Sequence, residues 1–492
     1  MTTRDFLALD LGASSGRGIV GRFDGKRLQT QEVHRFAHEL CRVRGTAYWD
    51  VLYLYQQCLH AIAAAKTAAP ALAGVGIDTW GLDYGLLDER GRLLDGVISY
   101  RNATDETVRE TWKVVSDREL FETTGVGHLV FNTVYQLMER RLRDDTALRC
   151  AKRLLLLPDL LAYFLTGEQA AEYTDACTTM LLDCGTKTWS AELLERLGLR
   201  TELFGAIQYP GQLRGMLLSE VLAQTGFSHL PLYTVAAHDT ASAIAAVPAE
   251  TDDFIYISSG TWSLIGMESN TPILSPQAFA AGYSNEGSLQ GAFRLNRNIM
   301  GLGLIQECRK AWNAAGQALS WDDIVRAAEL AEPFGALIDP DDQELFDLRN
   351  IPEKIRSICA RRGERAETVG QVARCVYESL ALKYRWYVEQ LQKITGRSFS
   401  AVHIVGGGSK NALLNQFTAD AAGLPVIAGP AEGASMANIL TQAIAVGELK
   451  NISELRAVIR ASEAVRRFEP QQTQRWSDAY GKYVEQFNIR SQ

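Results

Sequence analysis

The eight cysteines form no CxxC pair and no spacing that suits a zinc framework; they stand singly at 41, 58, 150, 177, 184, 308, 359 and 375. In a chain of 492 residues this pattern reads as reduced thiols in a cytoplasmic protein. Long apolar runs are also missing. The most apolar segment, RLLLLPDLLAYFLTG at 153–167, is broken by Pro158 and Asp159 and is too short to span a bilayer. Asp5 and Asp10 come too early for a secretory apolar core. Positive charge is not in excess. A net charge of −8 argues against a general partner of nucleic acid or anionic membrane. A phosphorylated ligand therefore needs local help, from loop amides or a metal. The loop after the first strand, GASSG, is itself neither GxxxxGK[ST] nor GxGxxG, and there is no low-complexity stretch or long linker.

What is present is ordinary globular material, 47% hydrophobic and 22% charged, in a length that suggests two to four domains at roughly 150 residues each. The opening, FLALDLG, GRGIVGRF and LQTQEVHRF, reads as three strands with a hairpin turn at Asp24-Gly25. Apolar spacing predicts a helix over VLYLYQQCLHAIAAAKTA. LAGVGIDTWGLDYGLLDERGRLLDG predicts strand, loop and then a hairpin turning at Arg90-Gly91, and residues 102–223 are mostly helical. PLYTVAAHDTASAIAAV predicts a strand entering a small-residue helix. DFIYISSGTWSLIGME repeats the strand–turn–strand theme, which suggests two α/β lobes with a boundary near Val247. Val369, Val372, Val376, Leu380, Tyr384, Tyr387 and Leu391 mark one face of a long helix that ends before Gly396. A βαβ-like unit follows from 401 to 430.

Four short stretches carry chemistry. In the first, Asp10 faces a loop of Gly12, Ala13, Ser14, Ser15 and Gly16. Small residues let backbone N–H groups approach an anion, although a plain hairpin turn has the same composition. In the second, AAHDTASA, a carboxylate stands among small residues, where it is costly unless hydrogen-bonded or used; Asp239 could equally cap the helix. The third, SSGTWSL, offers hydroxyls and Gly260. The fourth, VGGGSKN, sets Gly406, Gly407 and Gly408 between a strand and a helix, where the backbone can closely approach a flat or anionic ligand. Together, two hydroxyl/glycine turns, a glycine-rich βα loop and two carboxylates suit an ATP-using phosphotransferase, which needs positioning, charge neutralisation and a base.

LDLGASSGR, GIDTWGLDY, FNTVYQL, AAHDTASA, SSGTWSL, NIMGLGLIQE and HIVGGGSKNALLNQ occur in the order and spacing of the FGGY carbohydrate kinases, and the resemblance covers residues 5 to 450. It implies an α/β fold of two ribonuclease-H-like, actin/hexokinase-type lobes, 1–247 for sugar and phosphate and 248–492 for nucleotide, with the active site in the cleft between them. It implies that Ala13, Ser14, Ser15, Gly16, Arg17 and Thr261 contact ATP phosphates. Gln306 and Gly407 would line the nucleotide site, Gly407 near the adenosine. Gly81, His238, Asp239, Thr240 and Asn298 would hold the sugar, with Asp239 as general base and Asp10 organising Mg2+, through water, with ATP as co-substrate. DLGASSGR with HDTASA is most similar to the branch that phosphorylates the 1-hydroxyl of L-rhamnulose; a cytoplasmic protein is expected from the composition, with a monomer preferred. L-Fuculose or another ketose as substrate, or an actin-type nucleotide-dependent scaffold, are the alternatives. GPAEGASMANIL departs from the family at Gly433 and Met436 and keeps the acid Glu432. Trp80 and Trp262 are expected in the core, Asp78 and Asp83 as structural groups, and Phe131 and Asn132 near the sugar or in a structural loop.

Overall fold

A computed structural model describes residues 3–489. Its contacts divide into two compact units, one of Met1–Ala246, Glu268–Leu295 and Gly433–Ser462, the other of Val247–Met267, Asn296–Glu432 and Glu463–Gln492. The first break falls beside Val247; two later segments then cluster with the first unit, so each unit draws on both halves of the sequence. In chain order, the elements that position the sites are β1 (Arg4–Gly12), β2 (Ser15–Phe23), β3 (Leu28–Ala37), α1 (Val51–Ala68), β4 (Leu72–Thr79), α2 (Thr133–Leu142), β5 (Gln212–Met216), β6 (Pro231–Thr234) and α3 (Asp239–Ala245). Then come β7 (Phe254–Ser259), β8 (Trp262–Ser269), α4 (Gly303–Ala314), α5 (Val369–Thr395), β9 (Ala401–Val405), α6 (Ala412–Ala422), β10 (Val426–Ala428), α7 (Gly433–Ala445) and β11 (Arg466–Phe468).

The first unit holds a six-stranded sheet in the order β5-β6-β4-β1-β2-β3, with β1 antiparallel to β2 and parallel to β4. Alternation along β1 decides what lies where. Leu7, Leu9 and Leu11 join the core that includes α1 residues Leu54, Cys58 and Ile62, whereas Phe6 and Ala8 pack with Ala241 and Ala245 of α3 and Met436 and Ile439 of α7. Asp10 follows Phe6 and Ala8 in phase and therefore points to the α3/α7 face. On β4 the same face carries Gly74, Gly76 and Asp78. A Cβ on Gly76 would stand 2.4 Å from Asn438 Oδ1, and one on Gly74 would stand 3.1 Å from Gln442 Oε1. Bare glycine is what lets α7 lie this close to the sheet.

In the second unit β7 is central, antiparallel to β8 and parallel to β9, and β10 and β11 follow outward. The 27-residue helix α5 opens on a capping box of Thr368 and Gln371 and stops where Gly396 takes the left-handed conformation at φ 66°. Among the described residues no helix is long and apolar enough to cross a membrane.

Candidate active site

In the first unit the β1–β2 hairpin is closed by Ala13 and Ser14, with Gly12 facing Ser15 and Asp10 facing Arg17 across the pair. His38 braces the turn through a 2.8 Å hydrogen bond between its Nε2 and the Gly12 carbonyl. Gly16 also has a packing reason, since a Cβ there would fall 2.2 Å from the Phe36 ring. Arg17 donates to Asp10 Oδ2 at 2.9 Å, and Ser435 Oγ donates to the same oxygen. Asp10 and Asp78 are register partners on β1 and β4. Asp78 Oδ2 accepts from Asn438 Nδ2 at 2.6 Å, while Asp78 Oδ1 is buried without a hydrogen-bond partner. Burial and then the Asp10 charge push the Asp78 carboxyl well above its usual range, with Asp239 adding to the effect and Asn438 opposing it. Asp78 is thus not the fully satisfied structural carboxylate expected of it. Asp83 is: it accepts from Trp49 Nε1 at 2.5 Å, Trp80 Nε1 at 2.7 Å and the Tyr100 N–H at 2.7 Å.

Beyond β6 the chain continues beside β4, where the Thr79 N–H donates to the Ala237 carbonyl. Glu172 Oε2 takes the Ala237 N–H at 3.2 Å and the Thr174 hydroxyl at 2.6 Å, and Thr174 Oγ1 takes the His238 N–H at 3.2 Å. This brace delivers His238 and Asp239 to the start of α3. The cap position is His238, and Asp239 is the first helical residue, so the carboxylate is not spent on capping. Asp239 Oδ1 accepts from Thr240 Oγ1 at 3.2 Å and lies 3.7 Å from His238 Nε2. Burial, followed by the Asp10 charge, raises the Asp239 carboxyl to about 7. Burial beside the Arg294 guanidinium lowers His238 to about 3. Gly81 sits in the same neighbourhood: a Cβ there would stand 2.8 Å from Asp175 Oδ1 and 3.6 Å from His238 Cδ2. The next residue, Leu82, is held at φ 80°, a strained value for a side chain with a Cβ. Its carbonyl is fixed by Thr133 Oγ1 at 2.8 Å and Gln136 Nε2 at 3.2 Å, both from α2. That explains FNTVYQL. Asn132 is buried and donates to the Thr178 carbonyl.

In the second unit the β7–β8 turn is pinned by the start of α4, with Leu302 and Gly303 N–H groups donating to the Gly260 and Thr261 carbonyls at 2.9 Å each. Thr261 Oγ1 and Gln306 Oε1 meet at 2.9 Å, so two proposed nucleotide residues come together. Ser258 is the register partner of Val405, which brings the glycine loop after β9 beside this turn. Gly406 adopts φ 80°, and a Cβ on Gly408 would fall 2.0 Å from Ser259 Oγ; Gly407 is exposed with open space around it. Asn298 lines a cavity of about 540 Å3 with Trp262, Arg297, Asp341, Phe346 and Lys383. Trp262, expected in the core, is 44% exposed. Ser435, Asn438, Glu172, Asp175 and Arg294 were not anticipated. For Ser435 and Asn438 a signal existed: they stand three apart in a small-residue helix, hence on one face.

A first comparison matches residues 6–246 to the N-terminal domain and residues 255–446 to the C-terminal domain of the FGGY family of carbohydrate kinases. The chain is 39% identical over 479 residues to a rhamnulokinase of Bacteroides thetaiotaomicron, covering 97% of this chain and 98% of the relative. It is 37% identical over 472 residues to a rhamnulokinase of Bacillus subtilis, covering 96% of each. Among solved structures, gluconate kinase from Lactobacillus acidophilus aligns with a TM-score of 0.81 at 18% identity, over 99% of this chain and 98% of that one. Xylulose kinase from Rhodospirillum rubrum does so with a TM-score of 0.81 at 18% identity, over 99% of each chain. These structures share the two-lobed α/β fold that the motifs implied.

Proposed function

Because the chain belongs to the FGGY family of carbohydrate kinases, we propose that it transfers the γ-phosphoryl group of ATP to the 1-hydroxyl of L-rhamnulose, giving L-rhamnulose 1-phosphate and ADP. The observation that carries this reading is Asp239: a carboxylate at the start of α3, beside His238, raised to about 7. A base of that strength takes a hydroxyl proton efficiently near neutral pH. As the 1-hydroxyl oxygen bonds to phosphorus and the bond to ADP breaks, its proton passes to Asp239.

We assign sugar binding and proton transfer to the first unit, through Gly81, His238, Asp239 and Thr240, with Asn298 as a further sugar contact. Ala13, Ser14, Ser15, Gly16 and Arg17 are assigned to the phosphates, together with Thr261; Gln306 and Gly407 are assigned to the rest of the nucleotide. Thr261 meeting Gln306, and the open space at Gly407, support the nucleotide assignment.

Magnesium is the expected companion of ATP. Among the described residues no three His, Cys, Asp or Glu side chains gather to enclose a cation. Asp10 and Asp78 do face each other, with Asp78 Oδ1 unpartnered. One or two carboxylates completed by phosphates and water is how magnesium is usually bound, so these residues fit it. Asp10 is assigned as its anchor, through water; the ion would neutralise charge on the transferring phosphate. The reading takes the enzyme to be cytoplasmic, which its unbridged cysteines support, and to act as a monomer.

The test is coupled ADP release with ATP and magnesium across L-rhamnulose, L-fuculose, L-ribulose, D-xylulose, D-fructose and glycerol. A preference for L-rhamnulose is expected. A preference for another ketose would replace the substrate, and no stimulation by any of them would overturn the kinase reading.

A further inference from the structure

Arg294 is fully buried, an expensive state for a guanidinium that needs several acceptors. It donates to the Gly287 carbonyl at 2.9 Å and to Glu286 Oε2 at 3.0 Å, and its Nη2 lies 3.4 Å from His238 Nδ1. A guanidinium can only donate. For this contact to be a hydrogen bond, His238 Nδ1 must offer its lone pair. A proton on Nδ1 would set donor against donor. Glu286 Oε2 is the other group near Nδ1, but at 3.9 Å it is beyond hydrogen-bond reach and is taken by Arg294. The proton of a neutral His238 then belongs on Nε2, the nitrogen 3.7 Å from Asp239 Oδ1.

We propose that Arg294, held by Glu286, is a positioning residue that fixes His238 as the Nε2–H tautomer, so that the imidazole presents a donor on the Asp239 side of the site. The depressed basicity of His238 agrees with this, since the imidazolium form would carry a proton on both nitrogens. The 3.7 Å gap is too long for a direct hydrogen bond to Asp239. It suits one hydroxyl oxygen that accepts from His238 and donates its proton to Asp239. Such an arrangement fixes which way a sugar hydroxyl points its O–H, and thereby delivers that proton to the acceptor. The last step rests on Asp239 being the base; the tautomer does not.

The tautomer can be read directly from two-bond nitrogen–proton NMR spectra of the full chain labelled at histidine nitrogen, with His238 assigned by its loss in His238→Gln. We expect, near neutral pH, a protonated Nε2 and an unprotonated Nδ1. A proton on Nδ1, or on both nitrogens, overturns the proposal. Arg294→Met removes the donors at similar length; it is expected to release a second tautomer and to raise KM for the sugar about tenfold, the size of one lost hydrogen bond, with KM for ATP within about twofold. An unchanged sugar KM in a folded variant overturns the positioning role. Should the variant not fold, the unmodified chain's spectrum still decides the tautomer. A chain that phosphorylates no ketose yet shows the Nε2–H form would sink the kinase reading and leave the tautomer assignment standing.

Discussion

Asp10 and Asp78 are register partners on adjacent parallel strands, and each is held by a residue of the same helix, Asp10 by Ser435 and Asp78 by Asn438. Two carboxylates this placed repel, and burial makes the repulsion stronger. The Asn438 amide opposes the resulting rise of Asp78. Asn438→Ala therefore leaves Asp78 with neither oxygen paired by a side chain. We expect a loss of about 1–3 kcal/mol, the usual consequence of stranding a buried acceptor. A fall in the urea midpoint at unchanged slope would show it; an unchanged midpoint would mean that water or a neighbour replaces the amide.

Asp239→Asn preserves shape and removes the base. Phosphorylation of the sugar should fall by about 10²–10⁴ in kcat, with the far-UV spectrum and thermal midpoint close to those of the parent. In the parent chain the sign of the pH dependence follows from the raised carboxyl. Protonated Asp239 accepts no proton, so kcat/KM should be low in acid, climb with pH and level off above about 7. A profile flat from pH 5 to 8, or near-normal turnover by the variant, would rule Asp239 out as the base.

The glycines after β9 separate a nucleotide contact from a packing need. A methyl group on Gly408 would strike Ser259 Oγ at 2.0 Å, whereas one on Gly407 meets nothing within 4 Å. Gly408→Ala should lower stability, because the second unit must shift to fit it. Gly407→Ala should keep the parental melting temperature and raise KM for ATP several-fold while leaving KM for the sugar alone. Equal kinetics for Gly407→Ala and the parent would remove this residue from the nucleotide site.

Much of this was legible because it is local. Residues 51–68 carry a helical apolar period and form α1; Gly396 ends α5 where its freedom at positive φ is needed. The glycine and hydroxyl turns lie where their composition suggested, at the ends of β1, β7 and β9. What escaped is long-range. Ser435 meets Asp10 across 425 positions of sequence, and Glu172 holds Ala237 across 65. No local pattern says which small-residue helix will lie on which strand. Gly74 and Gly76 hinted at a close approach without naming the partner. Trp262 was misjudged because hydrophobicity favours burial only on average, and a turn pinned by Leu302 and Gly303 leaves its indole outside.

Asp83 offers a test of the buried polar network. Its two oxygens take three N–H donors, which favour the carboxylate, yet burial outweighs them and raises the group to about 7 from its ordinary 3.8. A folded-state value above the unfolded one means that the fold binds this proton more tightly than the unfolded chain. Its contribution to stability is thus fully present below about 3.8 and is lost as pH rises through about 7. Asp83→Asn cannot titrate. With its oxygen toward the two indoles, its amide faces the Tyr100 N–H, donor against donor, so the variant should be less stable than the parent by about 1–3 kcal/mol in acid. Because Glu172 and Glu378, also raised to about 7, are common to both chains, their titration cancels in the comparison. The parent's advantage in melting temperature over the variant should therefore be greater at pH 5 than at pH 8, where it shrinks or reverses. An advantage that grows with pH would mean that the three donors, and not burial, govern Asp83.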